Sequence, residues 1–311
     1  MTNHNGDGRT PAQASEIQSG DEVWVILLNY MSAADTINCW YSLKSLVTPC
    51  HVIVVDNCSP DDSATRLLQH VPAEQFFVSP CNRGFAAGNN AGIQRAIAAG
   101  ARYVWLLNND TTVEPDTLAS LLGTIEQDPL VAVVGSTILE MQDRSTLQCR
   151  GGGRINLWSG HSWNVRTKNE EPMFITGASM LLRVSALDSS LIDEGFFFLW
   201  EDVDLCLRLK ANGWKLAVSD RSIVYHRGGG SEPVMSAKRL EWHSFGLVRV
   251  LRRHGRFAFI SSFPIWVFYL MKAAQCCSVR MLIGCMSGWI KGWITPLRIP
   301  MPQSDGGRKS L

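Results

Sequence analysis

Apolar residues in this chain arrive in short continuous runs separated by amphipathic stretches, an alternation of buried strands and helices. Val23-Trp24-Val25-Ile26-Leu27-Leu28 predicts a first strand stopping at Asn29, and His51-Val52-Ile53-Val54-Val55 a second ending at Asp56-Asn57. Gln75 to Val78 is a weaker third, Tyr103 to Leu107 a fourth, and Val131 to Val134 a fifth. Helical spacing fills the gaps. It runs from Asp35 to Leu46, from Ala86 to Ala99 with Gly100 closing it, and from Pro115 to about Gln127. Ser59-Pro60-Asp61-Asp62 predicts another helix start, with a hydroxyl cap, proline next and acids in the first turn.

Continuous apolar strands alternating with helices predict an α/β fold, a mainly parallel Rossmann-like sheet flanked by helices. Ligands bind such sheets beyond the carboxyl ends of the strands. Asn29, Asp56-Asn57, Cys81-Asn82-Arg83-Gly84 and Asn108-Asn109-Asp110 all fall at such ends and outline a site on one edge. Residues 140–172 look irregular, with Gly151-Gly152-Gly153 in a crossing loop. The pattern resumes at Ile175 and leads through Thr176-Gly177-Ala178 to a helix from Glu201 to Asn212, closed by Gly213. Two short strands, Lys215 to Val218 and Ile223 to Tyr225, then deliver His226. Gly228-Gly229-Gly230-Ser231 reads either as a loop able to close over a ligand or as a plain linker.

Charge adds a division that hydropathy alone does not give. The net charge is +1, yet Lys238 to Leu311 carries 12 Lys and Arg against only Glu241 and Asp305, leaving 17 basic and 26 acidic residues before it. A basic block usually meets phosphate. This one is rich in Trp, Phe, Ile and Met, which favours lipid over nucleic acid. Phe257 to Met271 is shorter than the ~20 residues a helix needs to cross a bilayer. With Arg249, Arg252, Arg253 and Arg256 before it and Trp266, Trp289 and Trp293 within, the tail suits an interfacial position. The alternatives are a helical subdomain packed on the body or a homo-oligomer contact. Nine cysteines without paired spacing point to reduced thiols. The expected organisation is a loose tail over 1–20, a catalytic body over 21–236 (a nucleotide-binding half, 21–135, and an acceptor half, 136–236), and the helical tail over 237–311.

Taken singly, the polar positions have ordinary explanations. Asp110 suits a turn, Glu201, Asp202 and Asp204 suit the first turn of a helix, and Asp204 with Arg208 makes an i,i+4 pair. His226 suits a hydrogen-bonded core position. Together and in order they carry more. Ile26-Leu27-Leu28-Asn29-Tyr30, Val54-Val55-Asp56-Asn57-Cys58-Ser59, Asn82-Arg83-Gly84-Phe85-Ala86-Ala87-Gly88-Asn89-Asn90-Ala91-Gly92, Leu107-Asn108-Asn109-Asp110 and Trp200-Glu201-Asp202-Val203-Asp204 form one series. From about Val23 to His254 this series resembles the family 2 glycosyltransferases of the GT-A fold, in particular their rhamnosyltransferase-like and galactofuranosyltransferase-like branch.

The resemblance implies a nucleotide-sugar-binding fold and an inverting, metal-assisted transfer. Asp56 would accept a hydrogen bond from the imide of uracil or thymine, with Asn29 and Asn57 bordering the base pocket. Arg83 and Gly84 would meet the diphosphate, with Asn90, Asn108 and Asn109 on the same nucleotide-sugar side. Asp110 and His226 would ligate Mn²⁺ or Mg²⁺. The family's Asp-x-Asp motif has Asn108 in place of its first carboxylate here. Asp202 would be the catalytic base, supported by Glu201, with Trp200 stacking on a sugar and Gly177 and Ala178 lining the acceptor side. The resemblance further implies dTDP-L-rhamnose as donor, with UDP-galactofuranose or another nucleotide sugar open. The acceptor would be a saccharide, lipid-linked, in bacterial cell-surface polysaccharide synthesis. The enzyme would then be cytoplasmic and peripheral on the inner face of the membrane.

Two other classes fit the sequence less well. A sugar nucleotidyltransferase needs a glycine-rich basic loop after its first strand, and Asn29-Tyr30-Met31-Ser32 is not one. A non-catalytic membrane scaffold would not need Asp110, Glu201, Asp202 and His226 together.

Overall fold

A computed structural model describes residues 22–187, 191–228, 236–276 and 278–297. The expected N-terminal tail and the Gly229-Gly230-Ser231 part of the glycine loop lie outside them. The order is β1 (Val23–Asn29), α1 (Ala33–Leu43), β2 (His51–Asp56), α2 (Ser63–Leu68), β3 (Phe76–Val78), α3 (Phe85–Ala98), β4 (Tyr103–Asn108), β5 (Thr111–Val113), α4 (Thr117–Ile125) and β6 (Val131–Glu140). There follow β7 (Leu147–Arg150), β8 (Gly152–Ile155), β9 (Ser162–Asn164), β10 (Phe174–Ile175), β11 (Ser179–Arg183), α5 (Glu201–Ala211), β12 (Lys215–His226), α6 (Ala237–His254), α7 (Ala258–Gln275) and α8 (Val279–Ile294).

The main sheet runs β3-β2-β1-β4-β11-β6-β12-β5, with β7 also on β6. β1, β2, β3 and β4 pair in parallel, as do β6 and β12, whereas β11 lies antiparallel between β4 and β6. The sheet is therefore mixed, a correction to the mainly parallel expectation. The nucleotide half follows the strand–helix rule. The acceptor half breaks it, because β10 turns directly into β11 with no crossover helix between them. The stretch read as a crossing loop holds β7, β8 and β9, the last two forming a small antiparallel sheet with β10 just beyond it. The helix expected to begin at Ser59 starts at Ser63, because the Ser59 hydroxyl donates to Asp56 (2.6 Å) instead of capping a helix.

One core layer packs α1, α2 and α4 on a face of the sheet, and a second packs α3 and α5 on the other. A third cluster, with Phe196, Trp200, Val203, Leu247, Val250 and Leu251, joins α6 to α5. Buried ions reinforce this joint. Asp204 is fully buried and accepts from Arg208 (3.0 Å), Arg253 (2.8 Å) and His254 (2.9 Å), while Asp193 accepts from Arg253 (2.7 Å) and Arg249 (3.4 Å). Arg252 donates to the carbonyls of Gly292 and Thr295. Three of the arginines read as lipid-facing are thus internal fasteners. The helical tail is packed on the catalytic body along α6.

On α8, Gly284, Gly288 and Gly292 face α6. A Cβ on Gly288 would stand 2.0 Å from the Glu241 carbonyl oxygen, so only glycine permits this approach. The eight described cysteines are free. Among the described residues, no helix is long and apolar enough to cross a membrane.

Candidate active site

A cleft of about 440 Å³ opens at the carboxyl ends of β1, β2 and β4. Asn57, Gly84, Asn108, Asn109, Asp110, Gly177, Ala178, Glu201, Asp202 and His226 line it, so ten of the expected site residues meet there. Register explains two of the approaches. β5 pairs antiparallel with β12 with Thr111 opposite His226, so the turn between β4 and β5 carries Asp110 to the imidazole. β11 pairs with β4, and the Asn108 amide donates to the Ala178 carbonyl (3.1 Å), setting Gly177 and Ala178 beside the polar triplet.

Asp110 Oδ1 lies 3.2 Å from His226 Nε2, and Asp110 Oδ2 is buried without a hydrogen-bond partner. Burial opposes charge on Asp110, but His226 and Arg227 outweigh it and hold the carboxyl below its usual range. Gln148, on β7, fixes the ring. Its amide N–H donates to the His226 carbonyl (2.9 Å), which turns Oε1 toward Nδ1 (2.9 Å) and assigns the proton there. Nε2 then faces the Asp110 carboxylate oxygen, where it either donates a proton to it or, unprotonated, is free to ligate a cation. Asp110 and His226, with the neutral Asn108 beside them, are the side chains that would hold a divalent ion here. Among the described residues, no group of three or more His, Cys, Asp or Glu side chains is set to hold a metal.

Across the cleft, Asp202 accepts from the Gly177 N–H (3.0 Å) and from the Val203 N–H (2.8 Å). Burial raises its pKa, and these two amides limit the rise. Glu201 is less well supported: Oε2 is buried and unpartnered, and burial with the neighbouring Asp202 charge pushes its pKa to about 8 against its own backbone amide. Burial and the nearness of the two carboxyls disfavour both anions, so the pair retains a proton that free carboxylates would lose.

Five of the expected residues, Asn29, Asp56, Arg83, Asn90 and Trp200, do not line the cleft. Asn29 and Asp56 are fully buried below the cleft. Asn29 donates to Asp56 (2.7 Å) and accepts from Thr36 (2.8 Å), which accepts from Asn109 (2.8 Å). This buried chain ties the end of β2 to the polar triplet, so both residues are framework here. Arg83 points outward to Glu194, and Asn90 pins α3 to the Ile192 backbone. Trp200 packs against His243 (5.2 Å) and Gly246. It and Leu199 hold positive φ values of 76° and 70°, and that reversal turns the Trp200 ring into the core and Glu201-Asp202 into the cleft. Trp200 therefore sets the start of α5 and does not offer a sugar-stacking face.

The aromatic wall is elsewhere. Trp242, on α6, stacks on Phe197 (5.0 Å, 22° between planes) and meets Phe198 edge-on. Lys238 and Arg239 line the cleft beside it. Sequence reading assigned α6 to the tail and missed all three. The spacing Lys238-Arg239-x-x-Trp242, one turn of a helix on one face, was the available signal.

Residues 24–191 match the family model described as Glycosyl transferase family 2, and the chain belongs to that family. A relative, the galactofuranosyltransferase GlfT1 of Mycobacterium tuberculosis, is 29% identical over 194 residues, 59% of this chain and 62% of that protein. The chain thus matches less than two thirds of that relative's length. Among solved structures, a mannosyltransferase, PcManGT, from Pyrobaculum calidifontis in complex with GDP-Man and Mn²⁺ superposes with a TM-score of 0.57 at 14% identity over 88% of each chain. GalNAc-T7 with UDP, GalNAc and Mn²⁺ gives 0.63 at 13% identity over 88% of this chain and 56% of that one. These likenesses establish the GT-A fold.

Proposed function

We propose that the enzyme moves a sugar from a uridine or thymidine diphosphate donor to a saccharide hydroxyl with inversion, Asp202 being the base. The observation that carries this reading is the Asp202 carboxylate, held by two backbone amides across one cleft from the Asp110–His226 pair. The acceptor oxygen attacks the anomeric carbon as its proton passes to Asp202, and the bond from that carbon to the diphosphate breaks with its electron pair on the phosphate oxygen. Asp110 and His226 would hold Mn²⁺ or Mg²⁺, which when bound supplies charge stabilisation to the departing diphosphate. Glu201, neutral, donates a hydrogen bond to an acceptor hydroxyl. Gly177 and Ala178 leave room for that acceptor.

The sequence resemblance favours dTDP-L-rhamnose as donor, whereas the galactofuranosyltransferase relative favours UDP-galactofuranose. The acceptor is read as lipid-linked, because α7 and α8 carry no acidic residue and expose Ile260, Phe263, Ile283 and Ile294. Transfer from a panel of nucleotide sugars to lipid-linked saccharide extracts, with Mn²⁺, Mg²⁺ or EDTA, tests the reading. One donor used and EDTA inhibition support it. Transfer by Asp202→Asn at the wild-type rate would remove Asp202 as base; the expected loss is on the order of 10²–10⁴-fold in kcat with nucleotide affinity unchanged.

A further inference from the structure

The cleft presents a charge problem that the residues named so far do not solve. Asp110, Glu201 and Asp202 are all carboxyls, Asn108 is neutral, and Arg83, expected at the diphosphate, faces Glu194 outside the cleft. A nucleoside diphosphate would enter past the Asp110 and Asp202 carboxylates with only the cation that Asp110 and His226 would hold to receive it. Lys238 and Arg239 are the Lys and Arg residues that line the cleft. Both stand in the first turn of α6, where Ser236 caps the helix by accepting from the Arg239 N–H (3.0 Å). The turn is held in place by aromatic contacts. Lys238 lies 5.1 Å above the Trp242 ring and Arg239 lies 5.5 Å above Phe198. Phe198 meets Phe85 edge-on, and the Phe85 N–H donates to the Phe197 carbonyl (2.6 Å), so the same wall continues to Gly84 at the start of α3.

We propose that Lys238 and Arg239 form a phosphate clamp on the donor, sharing the diphosphate charge with the cation at Asp110 and His226. This rests on the glycosyltransferase reading above and extends it to α6. A guanidinium and an ammonium differ in what they do here. Arg239 offers a fork that can hold two oxygens of one phosphate, while Lys238 supplies a mobile point charge. Their charge also stabilises the electron pair arriving on the leaving diphosphate. The joint between α5 and α6 then gains a purpose: Asp193 and Asp204 fix the helix that carries the clamp relative to the helix that carries the base.

The test measures binding of UDP, dTDP and GDP, each with Mn²⁺, and of the matching monophosphates, to wild type, Lys238→Gln, Arg239→Gln and the double variant. Lys238 is exposed, so its variant folds irrespective of the outcome at Arg239. The expected result is about tenfold weaker diphosphate binding for each substitution, with the monophosphate less affected. Diphosphate affinity within twofold of wild type in the double variant would overturn the clamp. A raised KM for a pyrophosphate-linked acceptor in that case would reassign the two cations to the acceptor. Absence of diphosphate binding by the wild type would sink the glycosyltransferase reading together with the clamp, and so is distinct from failure of the clamp alone.

Discussion

Glu201 is the residue whose chemistry departs furthest from its ordinary behaviour. Its pKa is raised from 4.5 to about 8, because burial and the Asp202 charge disfavour its anion. The native state therefore holds a proton that the unfolded chain gives up above about pH 4.5. Below that pH both states are protonated and the group contributes no difference. Between pH 4.5 and 8 the unfolded state ionises and is favoured, so Glu201 makes the protein progressively less stable as pH rises, levelling above 8. Glu201→Gln keeps the hydrogen-bond donor and cannot ionise. Its melting temperature should exceed that of wild type at pH 8 by more than at pH 5; equal differences at the two values would mean that Glu201 is charged in the folded protein. Gly84 makes a simpler case. Its φ is 94° and a Cβ would stand 2.2 Å from the Phe197 carbonyl oxygen, on backbone that cannot give way cheaply. Gly84→Ala should push the α3 start from the aromatic wall, lowering both thermal stability and nucleotide affinity in titration calorimetry.

At the scale of elements, the joint between α5 and α6 is built on buried ion pairs. The three partners of Asp204 hold its pKa down to about 2 against the opposing effect of burial. Asp204→Asn would leave Arg208 and Arg253 short of a buried counter-charge, a loss of about 3–5 kcal/mol in urea unfolding. A loss below about 1 kcal/mol would show that α6 is held by its apolar face alone. Only the local half of this joint was legible in the sequence. The Asp204–Arg208 pair follows from i,i+4 spacing, but Arg253 and His254 reach Asp204 across some fifty residues, |i−j| = 49 and 50, and no periodicity reports that. The same limit applies to the strands. β1, β2 and β4 are continuous apolar runs and were read within a residue or two. β5, β7 and β9 were not, because three- and four-residue strands owe their existence to the neighbours they pair with. Nor does sequence decide which tryptophan faces a cleft. Trp200 precedes the acidic pair, yet a left-handed backbone turns it inward, and Trp242 takes the exposed role from a helix read as tail.

For the whole molecule, pairing most of the α6 arginines inside changes what the basic tail can do. Among the described residues of α7, α8 and the turn before α7, the charges left to meet an anionic surface are Arg256, Lys272 and Arg280, all exposed, with Lys291 paired to Glu241. Beside them Ile260, on α7, is 65% exposed, and Ile283 (60%), Val279 (68%) and Ile294 (72%) stand on α8, whose glycine-lined side is already committed to α6. Trp158, at the tip between β8 and β9, is 67% exposed and packs on Phe257 at 4.9 Å, so the small sheet adds to the same end of the molecule. Apolar side chains contribute most of the energy of lying in an interface, and cations select anionic headgroups. Purified protein should therefore sediment with phosphatidylglycerol vesicles, and less with phosphatidylcholine vesicles. Ile260→Glu and Phe263→Glu remove apolar contact at exposed positions and add like charge to the lipid, so each should weaken sedimentation about tenfold or more. Transfer to a short water-soluble acceptor should be unchanged in both variants, because neither residue lines the cleft. Wild-type protein that stays in the supernatant with both lipids would instead leave this face for protein contacts. Sedimentation that the glutamates do not alter would move the attachment away from α7.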